Sequence, residues 1–331
     1  MQTYELTDDS KATLLLCGIF GSREDRESVK PLSIAEYNKL AKWLADNDMR
    51  PGDLLETEVR KLLKQNIMGS IDPQRVENLL IRGAMLAFAV EKWMNKGIWI
   101  ITRSEKNYPG KLRKHLNRLS PPILYGVGDR SLFDCDGLAV VGSRNVDKRG
   151  EDFTRAVGEH CANRGIAIIS GGARGVDQIS MKSTLDAEGV AIGVMADSLL
   201  RTSVSGKYRE AILDQRLLLV SSFNPEARFT VGNAMSRNKY IYALSRYGLI
   251  ISAEYKSGGT WAGATEELKR ENPVPLFVRD EENAPKGNYE LLKLGTLPFP
   301  KPPWEEPLNT ILDKAYSERE IRPVQSSIFD E

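Results

Sequence analysis

The chain has 331 residues, enough for about two domains, and its 41% hydrophobic and 27% charged residues are typical of a globular protein. Lysine and arginine (46) nearly balance aspartate and glutamate (45), so an anionic partner would have to be bound by a local patch of charge rather than by the field of the whole molecule. Three cysteines and two histidines exclude a disulfide framework, a Cys/His zinc site and most histidine-centred catalysis, and we expect no cofactor.

The amino-terminal segment is polar and acidic, and the sequence has no run of about 20 apolar residues. It therefore resembles neither a secretory signal nor a membrane-spanning helix. These features predict a cytoplasmic protein that makes no membrane contact.

Residues 1–97 are predicted to form a helical accessory domain. Apolar residues recur at helical spacing over Ile34–Asp46, and a longer helix is predicted from the N-cap Asp72 to Gly97. We expect its apolar side chains to form one buried stripe, made of Val76, Leu79, Leu80, Ala84, Ala87, Phe88 and Trp93. The segment could pack its own core or form a helix-hairpin-helix-like DNA-binding module, and the sequence leaves both open.

From Ile98 the pattern changes to short apolar runs separated by amphipathic stretches. The predicted strands are residues 98–102, 123–125, 138–141, 166–169, 190–194, 217–220, 249–251 and 274–278. Uninterrupted apolar strands that alternate with helices indicate a mostly parallel sheet covered on both faces. We therefore predict a doubly wound α/β domain over residues 98–300. Residues 301–331 are predicted to be a C-terminal tail with one helix, Leu308–Tyr316.

Glycine, hydroxyl and basic residues follow three of the predicted strands. In an open parallel sheet, ligands bind beyond the carboxyl ends of the strands. Glycine backbone amides, helix N-termini and arginine side chains at that edge would together bind phosphate. One glycine-rich loop alone would more simply be a tight turn, but three at one edge favour an anion site. The residues are Gly142, Ser143, Arg144 and Lys148, then Ser170, Gly171, Gly172 and Arg174, and finally Ser257, Gly258 and Gly259.

The type of phosphate ligand is narrowed by the motifs that the sequence lacks. It contains neither the G-x-G-x-x-G pattern of dinucleotide sites after its first strand nor the G-x-x-x-x-G-K-[ST] pattern of nucleotide hydrolases. A fourth polar segment, Arg237, Asn238 and Lys239, begins a predicted helix near the same edge. This longer basic surface favours a polynucleotide backbone over a mononucleotide.

Together, these motifs resemble those of the DprA/Smf family of DNA-processing proteins. The matching segments are Tyr108-Pro109, PPILYG at 121–126, VGSR at 141–144, SGGARGVD at 170–177, SRNKYIYALS at 236–245, SGGTWAGA at 257–264 and GNYELLKLG at 287–295. A chance match to all of these segments in one order is improbable.

The resemblance implies an extended Rossmann-like fold without enzymatic activity. It further implies that the protein binds and protects single-stranded DNA and loads a RecA-type recombinase onto it, often as a homodimer. By position, Arg144 and the 170–174 loop would contact backbone phosphates. Arg237, Asn238 and Lys239 would correspond to the RNR segment of the family, and Ser257, Gly258 and Gly259 to its SG-rich loop.

Several positions depart from the family pattern. Met181 stands where the family usually has histidine, Ser222 where it has glutamate, Lys239 where it has the last arginine of RNR, and Ser252 where it often has an acidic residue. The sequence also shows no C-terminal winged-helix domain of the kind that many members carry. These departures favour a specialised member, such as one from a mobile element or an anti-phage locus.

The C-terminal tail contains a separate short motif. Gln325, Ile328 and Phe329 are spaced as in the peptides by which many bacterial replication and repair proteins bind the sliding clamp. Such a peptide places a glutamine and two apolar anchors in a hydrophobic pocket of its partner. A clamp-binding peptide and a featureless tail are both compatible with this short pattern.

Two other classes of function stay open at the level of sequence. Gly258, Gly259 and Thr260 precede two glutamates, as in Rossmann-like hydrolases of nucleotide derivatives, so the chain could be a sensor or hydrolase of such small molecules. It could also be a purely protein-binding scaffold. Trp261, on the same predicted ligand loop, could equally pack in the core or stack on a base.

Overall fold

The computed structural model describes residues 6–21, 29–65 and 71–321. The chain forms two compact units that alternate along the sequence. The first unit contains Met1–Asp134 and Val194–Arg237, and the second contains Cys135–Gly193 and Asn238–Glu331. In the portion described, no helix is long and apolar enough to span a bilayer. The three-segment division predicted from the sequence stays a prediction.

The helices of the described part of the chain are numbered α1 to α14. They are α1 Asp8–Cys17, α2 Ile34–Asp46, α3 Thr57–Gln65, α4 Pro73–Leu80, α5 Gly83–Met94, α6 Gly110–Leu116, α7 Lys148–Asn163, α8 Val176–Asp186, α9 Leu199–Ser203, α10 Gly206–Leu213, α11 Val231–Ala243, α12 Gly258–Leu268, α13 Lys286–Lys293 and α14 Leu308–Ile321. Short 3₁₀ helices cover Pro51–Leu55, Asn117–Leu119 and Arg130–Asp134.

The described residues also contain nine strands, all short and most of them fully buried. They are β1 Trp99–Thr102, β2 Ile123–Val127, β3 Gly137–Gly142, β4 Ala167–Ser170, β5 Ala191–Val194, β6 Leu217–Ser221, β7 Tyr247–Ser252, β8 Leu276–Val278 and β9 Leu297–Pro298. Each of the eight predicted strands is present, with boundaries shifted by only a few residues. Continuous apolar runs are a reliable signal because both faces of these strands are covered.

The first unit combines the amino-terminal helices with antiparallel strands. Strand β2 pairs with β1 on one side and with β6 on the other. The hydroxyl groups of Ser10 on α1 and Thr102 on β1 lie 2.9 Å apart in the interior. Helix α1 is therefore joined to β1 within this unit.

The long helix predicted from Asp72 to Gly97 is wrong, because it consists of two helices, α4 and α5, that are separated at Arg82. The guanidinium of Arg82 is buried, donates to the carbonyl of Leu15, and lies 4.4 Å from the ring centroid of Phe20. This anchoring ends α4 and changes the direction of the chain. The predicted stripe is consequently interrupted: Val76, Leu79, Leu80 and Trp93 are buried, whereas Ala84, Ala87 and Phe88 are exposed.

The second unit is a parallel sheet in the order β5-β4-β3-β7-β8-β9. From β3 the chain proceeds outward through β4 and β5, while β7, β8 and β9 continue on the other side. The strand order therefore reverses between β3 and β7, which is where ligands bind in doubly wound folds. The predicted doubly wound, mostly parallel α/β fold is confirmed.

The core of the second unit lies between this sheet and its covering helices. Its largest members come from β3, α7, β7 and β8, and Phe153, Phe277 and Phe299 pack with their rings edge to face. Helix α14, which includes the predicted helix Leu308–Tyr316 and continues to Ile321, buries Leu308 and Leu312 in the same core. The segment after Phe299 thus contributes to the folded unit as far as the description reaches. The predicted clamp-binding residues Gln325, Ile328 and Phe329 lie outside the described residues.

Candidate functional site

Three loops follow the adjacent strands β4, β3 and β7 of the second unit. The backbone amide of Ser143, after β3, donates to the carbonyl of Ser252 at the end of β7, at 2.9 Å. The amide of Val176, at the start of α8, donates to the carbonyl of Ser143, at 3.3 Å. The loops after β3 and β4 therefore meet through their backbones, and the first of them is bonded to the last residue of β7.

Glycines allow this close approach of the loops after β3 and β4. Gly175 has a φ of +87°, and a Cβ atom there would lie 2.4 Å from the carbonyl oxygen of Ser143. A Cβ atom at Gly142 would lie 2.5 Å from a methyl group of Val176. A larger residue at either position would force the two loops apart.

The predicted phosphate-binding residues of these two loops differ in accessibility. Arg144, Lys148 and Arg174 are exposed, and Gly142, Ser143 and Gly172 are half-buried. Ser170 and Gly171 are buried, and the Ser170 hydroxyl donates to the carbonyl of Val140 at 2.6 Å. Ser170 thus holds the end of β4 against β3, while the arginines carry the exposed charge.

Two helices at this edge begin without a side-chain cap in the described part of the chain, but the first amide of α8, that of Val176, already donates to the carbonyl of Ser143. Within residues 71–321, no side chain caps the first turn of α8 or α12, which begin after Gly175 and Ser257. Helix α7 differs, because the carboxylate of Asp147 accepts from the amide of Gly150 at 2.6 Å. Uncapped N-terminal amides carry partial positive charge and bind anions.

The contacts of Asp147 lower the pKa of its carboxyl group. Its burial would raise the pKa of the carboxyl group, but the hydrogen bond from Gly150 and the charge of Arg279 outweigh this effect and lower it. The Arg279 guanidinium is buried and also donates to the carbonyl of Ile251, at 3.0 Å. Arg279 therefore connects Asp147, before α7, to Ile251, near the end of β7.

The three residues of the fourth predicted segment, on α11, differ in burial and belong to different units. Arg237 is buried in the first unit, where its guanidinium donates to the carbonyl of Val194. Asn238 and Lys239 belong to the second unit and are half-buried. The Asn238 amide donates to the carbonyl of Gly259 at 2.9 Å, and burial lowers the pKa of Lys239. Asn238 therefore joins α11 to the loop after β7, whereas the charge of Arg237 faces the interior.

The loop after β7 has an unusual backbone conformation. Lys256 has a φ of +55° and Gly258 a φ of +75°, both in the left-handed region that favours glycine. Ser257, Gly258 and Gly259 are exposed, and their role as ligand residues stays a prediction. The loop presents its backbone and the side chain of Lys256 to solvent.

Sequence reasoning did not identify Asn288 as important for the site. This side chain is buried on α13, accepts from the amide of Ala253, and donates to the carbonyls of Ile251 and Arg279. It therefore fixes the end of β7, from which the ligand loop starts. The only sequence signal was its place in the GNYELLKLG segment, to which no role had been given. Tyr255 and Lys286 were also missed.

The exposed groups at this edge are mainly hydrogen-bond donors. Exposed arginines, uncapped helix N-termini and glycine amides all donate hydrogen bonds. Asp177 is buried and accepts from the amide of Ala173 at 3.4 Å. His160 lies on α7, with its ring against Trp304 and its Nε2 atom 3.1 Å from the carbonyl of Glu306. Asp177 and His160 therefore both make contacts within the fold, and neither needs a catalytic role to explain its position.

The chain is similar to known DNA-processing proteins. The family model described as DNA recombination-mediator protein A matches residues 99–296. The Smf protein of Escherichia coli is 34% identical over 186 residues, which are 55% of this chain and 49% of that protein. The DNA processing protein DprA of Bacillus subtilis is 27% identical over 218 residues, 65% of this chain and 71% of that protein. The match thus spans about half of the length of the E. coli relative.

Two solved structures have a similar fold. DNA processing protein A of Streptococcus pneumoniae superposes with a TM-score of 0.67 at 19% identity, over 88% of this chain and 94% of its own. DNA processing protein A of Helicobacter pylori, whose structure describes a single-stranded DNA binding mode, gives a TM-score of 0.52 at 25% identity. That match covers 67% of this chain and 96% of the H. pylori chain.

Proposed function

Because this chain belongs to the DNA recombination-mediator protein A family, we propose that it binds single-stranded DNA at the carboxyl edge of the parallel sheet. The observation that carries the proposal is the joining of the loops after β3 and β4, each with an exposed arginine, at the point where the strand order reverses. The relative from H. pylori, which binds single-stranded DNA, supports the choice of ligand.

The exposed residues would contact the phosphates of the DNA backbone. Arg144 and Arg174 can each bind a phosphate with two parallel hydrogen bonds. The amides at the start of α12 would contact further phosphate oxygens. Lys148 forms an exposed ion pair with Asp152 at 2.8 Å, and a phosphate would replace that carboxylate with little loss of free energy. The proposed activity is binding, with no catalytic step.

Beyond DNA binding, the proposed role is to protect single strands and to load a RecA-type recombinase onto them, with the protein acting as a homodimer. The family's description as a recombination mediator supports this role. Work in transformation, repair or phage defence would use the same activity. A sliding clamp bound through Gln325, Ile328 and Phe329 is a further proposal, supported by the sequence pattern alone.

The binding proposal is tested by fluorescence anisotropy with single- and double-stranded oligonucleotides of equal length at several salt concentrations. We expect tighter binding of the single strand, with an affinity that falls steeply with salt. Arg144→Ala should weaken binding about tenfold and reduce the salt slope by about 0.7, because one phosphate contact is lost.

The matched control is Arg155→Ala, which removes the same charge from the exposed part of α7, about two turns beyond its start. It should leave both affinity and salt slope close to those of the unaltered protein. Absence of DNA binding at low salt, or equal effects of the two substitutions, would refute the proposal. Nucleotides and their derivatives would then be tested at the same loops.

Recombinase loading is tested separately, by the rate at which a RecA-type ATPase becomes active on single strands coated with a single-strand-binding protein. We expect this protein to shorten the delay before activity, and Arg144→Ala to restore most of the delay. Normal DNA binding with an unchanged delay would rule out loading while leaving the binding proposal intact.

A further inference from the structure

An aromatic pair with two lysines lies on the loop after β7 and the first turn of α12. The rings of Tyr255 and Trp261 are 5.1 Å apart between centroids and inclined at 85°, an edge-to-face contact. The ammonium nitrogens of Lys256 and Lys286 lie over the Tyr255 ring, at 5.1 and 5.0 Å from its centroid. Three elements of one unit, the loop, α12 and α13, thus converge on one tyrosine.

Packing of the fold does not require this arrangement. The side chain of Tyr255 is 36% exposed, and the neighbouring residues from Glu254 to Gly259 are exposed as well. The Trp261 ring stands against Tyr255 and fixes its orientation, since an edge-to-face contact limits rotation of both rings. An accessible aromatic ring, in contact with a second ring and two cations, therefore lies at the surface.

Single-stranded nucleic acid is the ligand that this combination fits. Proteins bind single strands by stacking bases on aromatic side chains and by contacting phosphates with basic residues. The two ammonium nitrogens, each about 5 Å from the same ring centroid, can be no more than about 10 Å apart. They can therefore reach phosphates on the two sides of a base that lies on the ring.

We propose that Tyr255, held by Trp261, is a base-stacking platform, and that Lys256 and Lys286 bind the phosphates flanking the stacked base. This inference rests on the proposed binding of single-stranded DNA and adds to it a contact with the bases. In the free protein the lysines occupy the ring face, and they move to the phosphates when DNA arrives. The bases of a duplex are already stacked on each other, so the platform favours single strands.

The test compares two oligonucleotides of equal length and charge, a thymidine homopolymer and a backbone of abasic sites. Wild-type protein should bind the thymidine oligonucleotide more tightly. Tyr255→Leu should weaken that binding by roughly five- to a hundredfold and leave binding of the abasic backbone unchanged, because only stacking is lost. Tyr255→Phe, which keeps the ring, should retain the preference. Phe88→Leu is the matched control, since it removes a side chain of the first unit that is 74% exposed.

The two proposals fail in different ways. Arg144→Ala should weaken binding of both oligonucleotides equally, as expected for a phosphate contact. If Tyr255→Leu binds both as the wild type does, or weakens both equally, the stacking platform is refuted while DNA binding stands. If the wild type binds neither oligonucleotide, the proposed function is itself refuted, and the platform with it.

A second measurement needs no variant. 2-Aminopurine placed within the thymidine oligonucleotide should lose fluorescence on binding wild-type protein, because stacking on an aromatic ring quenches it. Unchanged or increased fluorescence at every position of the probe would contradict the platform.

Discussion

At Gly175 the chain adopts a backbone conformation open only to glycine, in contact with the carbonyl of Ser143. We expect Gly175→Ala to destabilise the protein by about 2 kcal/mol, because both the backbone and the neighbouring loop must move. The displaced loop carries Arg144, so affinity for single-stranded DNA should also fall. Urea unfolding and anisotropy measure the two effects.

Gly110→Ala is the control for this substitution. A Cβ atom at Gly110, the first residue of α6, would meet no atom within 4 Å, and its φ is not positive. Stability should be unchanged or slightly higher, since alanine favours the helix. Equal destabilisation by the two substitutions would show that the contact at Ser143 has no special weight.

The sequence predicted the exposure of some single residues of the site and not that of others. Arg144 and Arg174 could be predicted as exposed cations, because glycine-rich turns at strand ends lie at the surface. Arg237 has the same charge and a matching motif, yet it is buried, since its partner is the carbonyl of Val194, 43 residues away in the chain. Contacts of that range leave no pattern in a single sequence.

At the scale of elements, α2 is fixed to α4 by an ion pair between Glu36 and Arg75, at 2.7 Å. The hydrogen bond from Arg75 and those from Ser33 lower the pKa of Glu36 from 4.5 to about 2, against the opposing effect of burial. A carboxylate with a lowered pKa stabilises the fold above its unfolded pKa. That contribution is lost as the pH falls from about 4.5 to about 2.

We therefore expect Glu36→Gln to reduce stability at pH 7 by about 1 kcal/mol and to make the loss of stability below pH 4.5 less steep. Urea unfolding at a series of pH values measures both. Glu58→Gln is the control, because Glu58 is exposed and its pair with Lys61 contributes little. A profile for Glu36→Gln parallel to that of the wild type would contradict the assigned role.

Elements with a strong local signal could be predicted from sequence, and those set by distant contacts could not. Every predicted strand is present because its apolar run has no competing helical period. The separation of α4 from α5 was missed, since Ile81 and Arg82 are both compatible with a helix and Gly83 is a weak breaker. What ends α4 is the binding of the Arg82 guanidinium to the carbonyl of Leu15.

For the whole molecule, a net charge of +1 means that binding of DNA depends on where the cations lie rather than on how many there are. Replacing one cation by glutamate changes the net charge by two, to −1, wherever it is done. We expect Arg174→Glu to weaken binding of single-stranded DNA more than tenfold at physiological salt, because it places a carboxylate against a phosphate.

Lys269→Glu should leave affinity within about twofold in the same anisotropy experiment. Lys269 follows the last residue of α12, an 11-residue helix that begins at the ligand edge. It is therefore about 16 Å from that edge, roughly two Debye lengths at physiological salt. Similar losses for the two reversals would mean that DNA responds to the overall field instead.

The left-handed conformation of Lys256 lowers the conformational stability of the loop after β7. A lysine with a φ of +55° is less stable than glycine or asparagine would be there, by about 1 kcal/mol. Two positions later the backbone is again left-handed, with a φ of +75°, and there the residue is glycine, Gly258. The loop thus gives up conformational stability to hold an ammonium group beside Tyr255, and a redesign of this protein for heat resistance alone would replace that lysine by glycine.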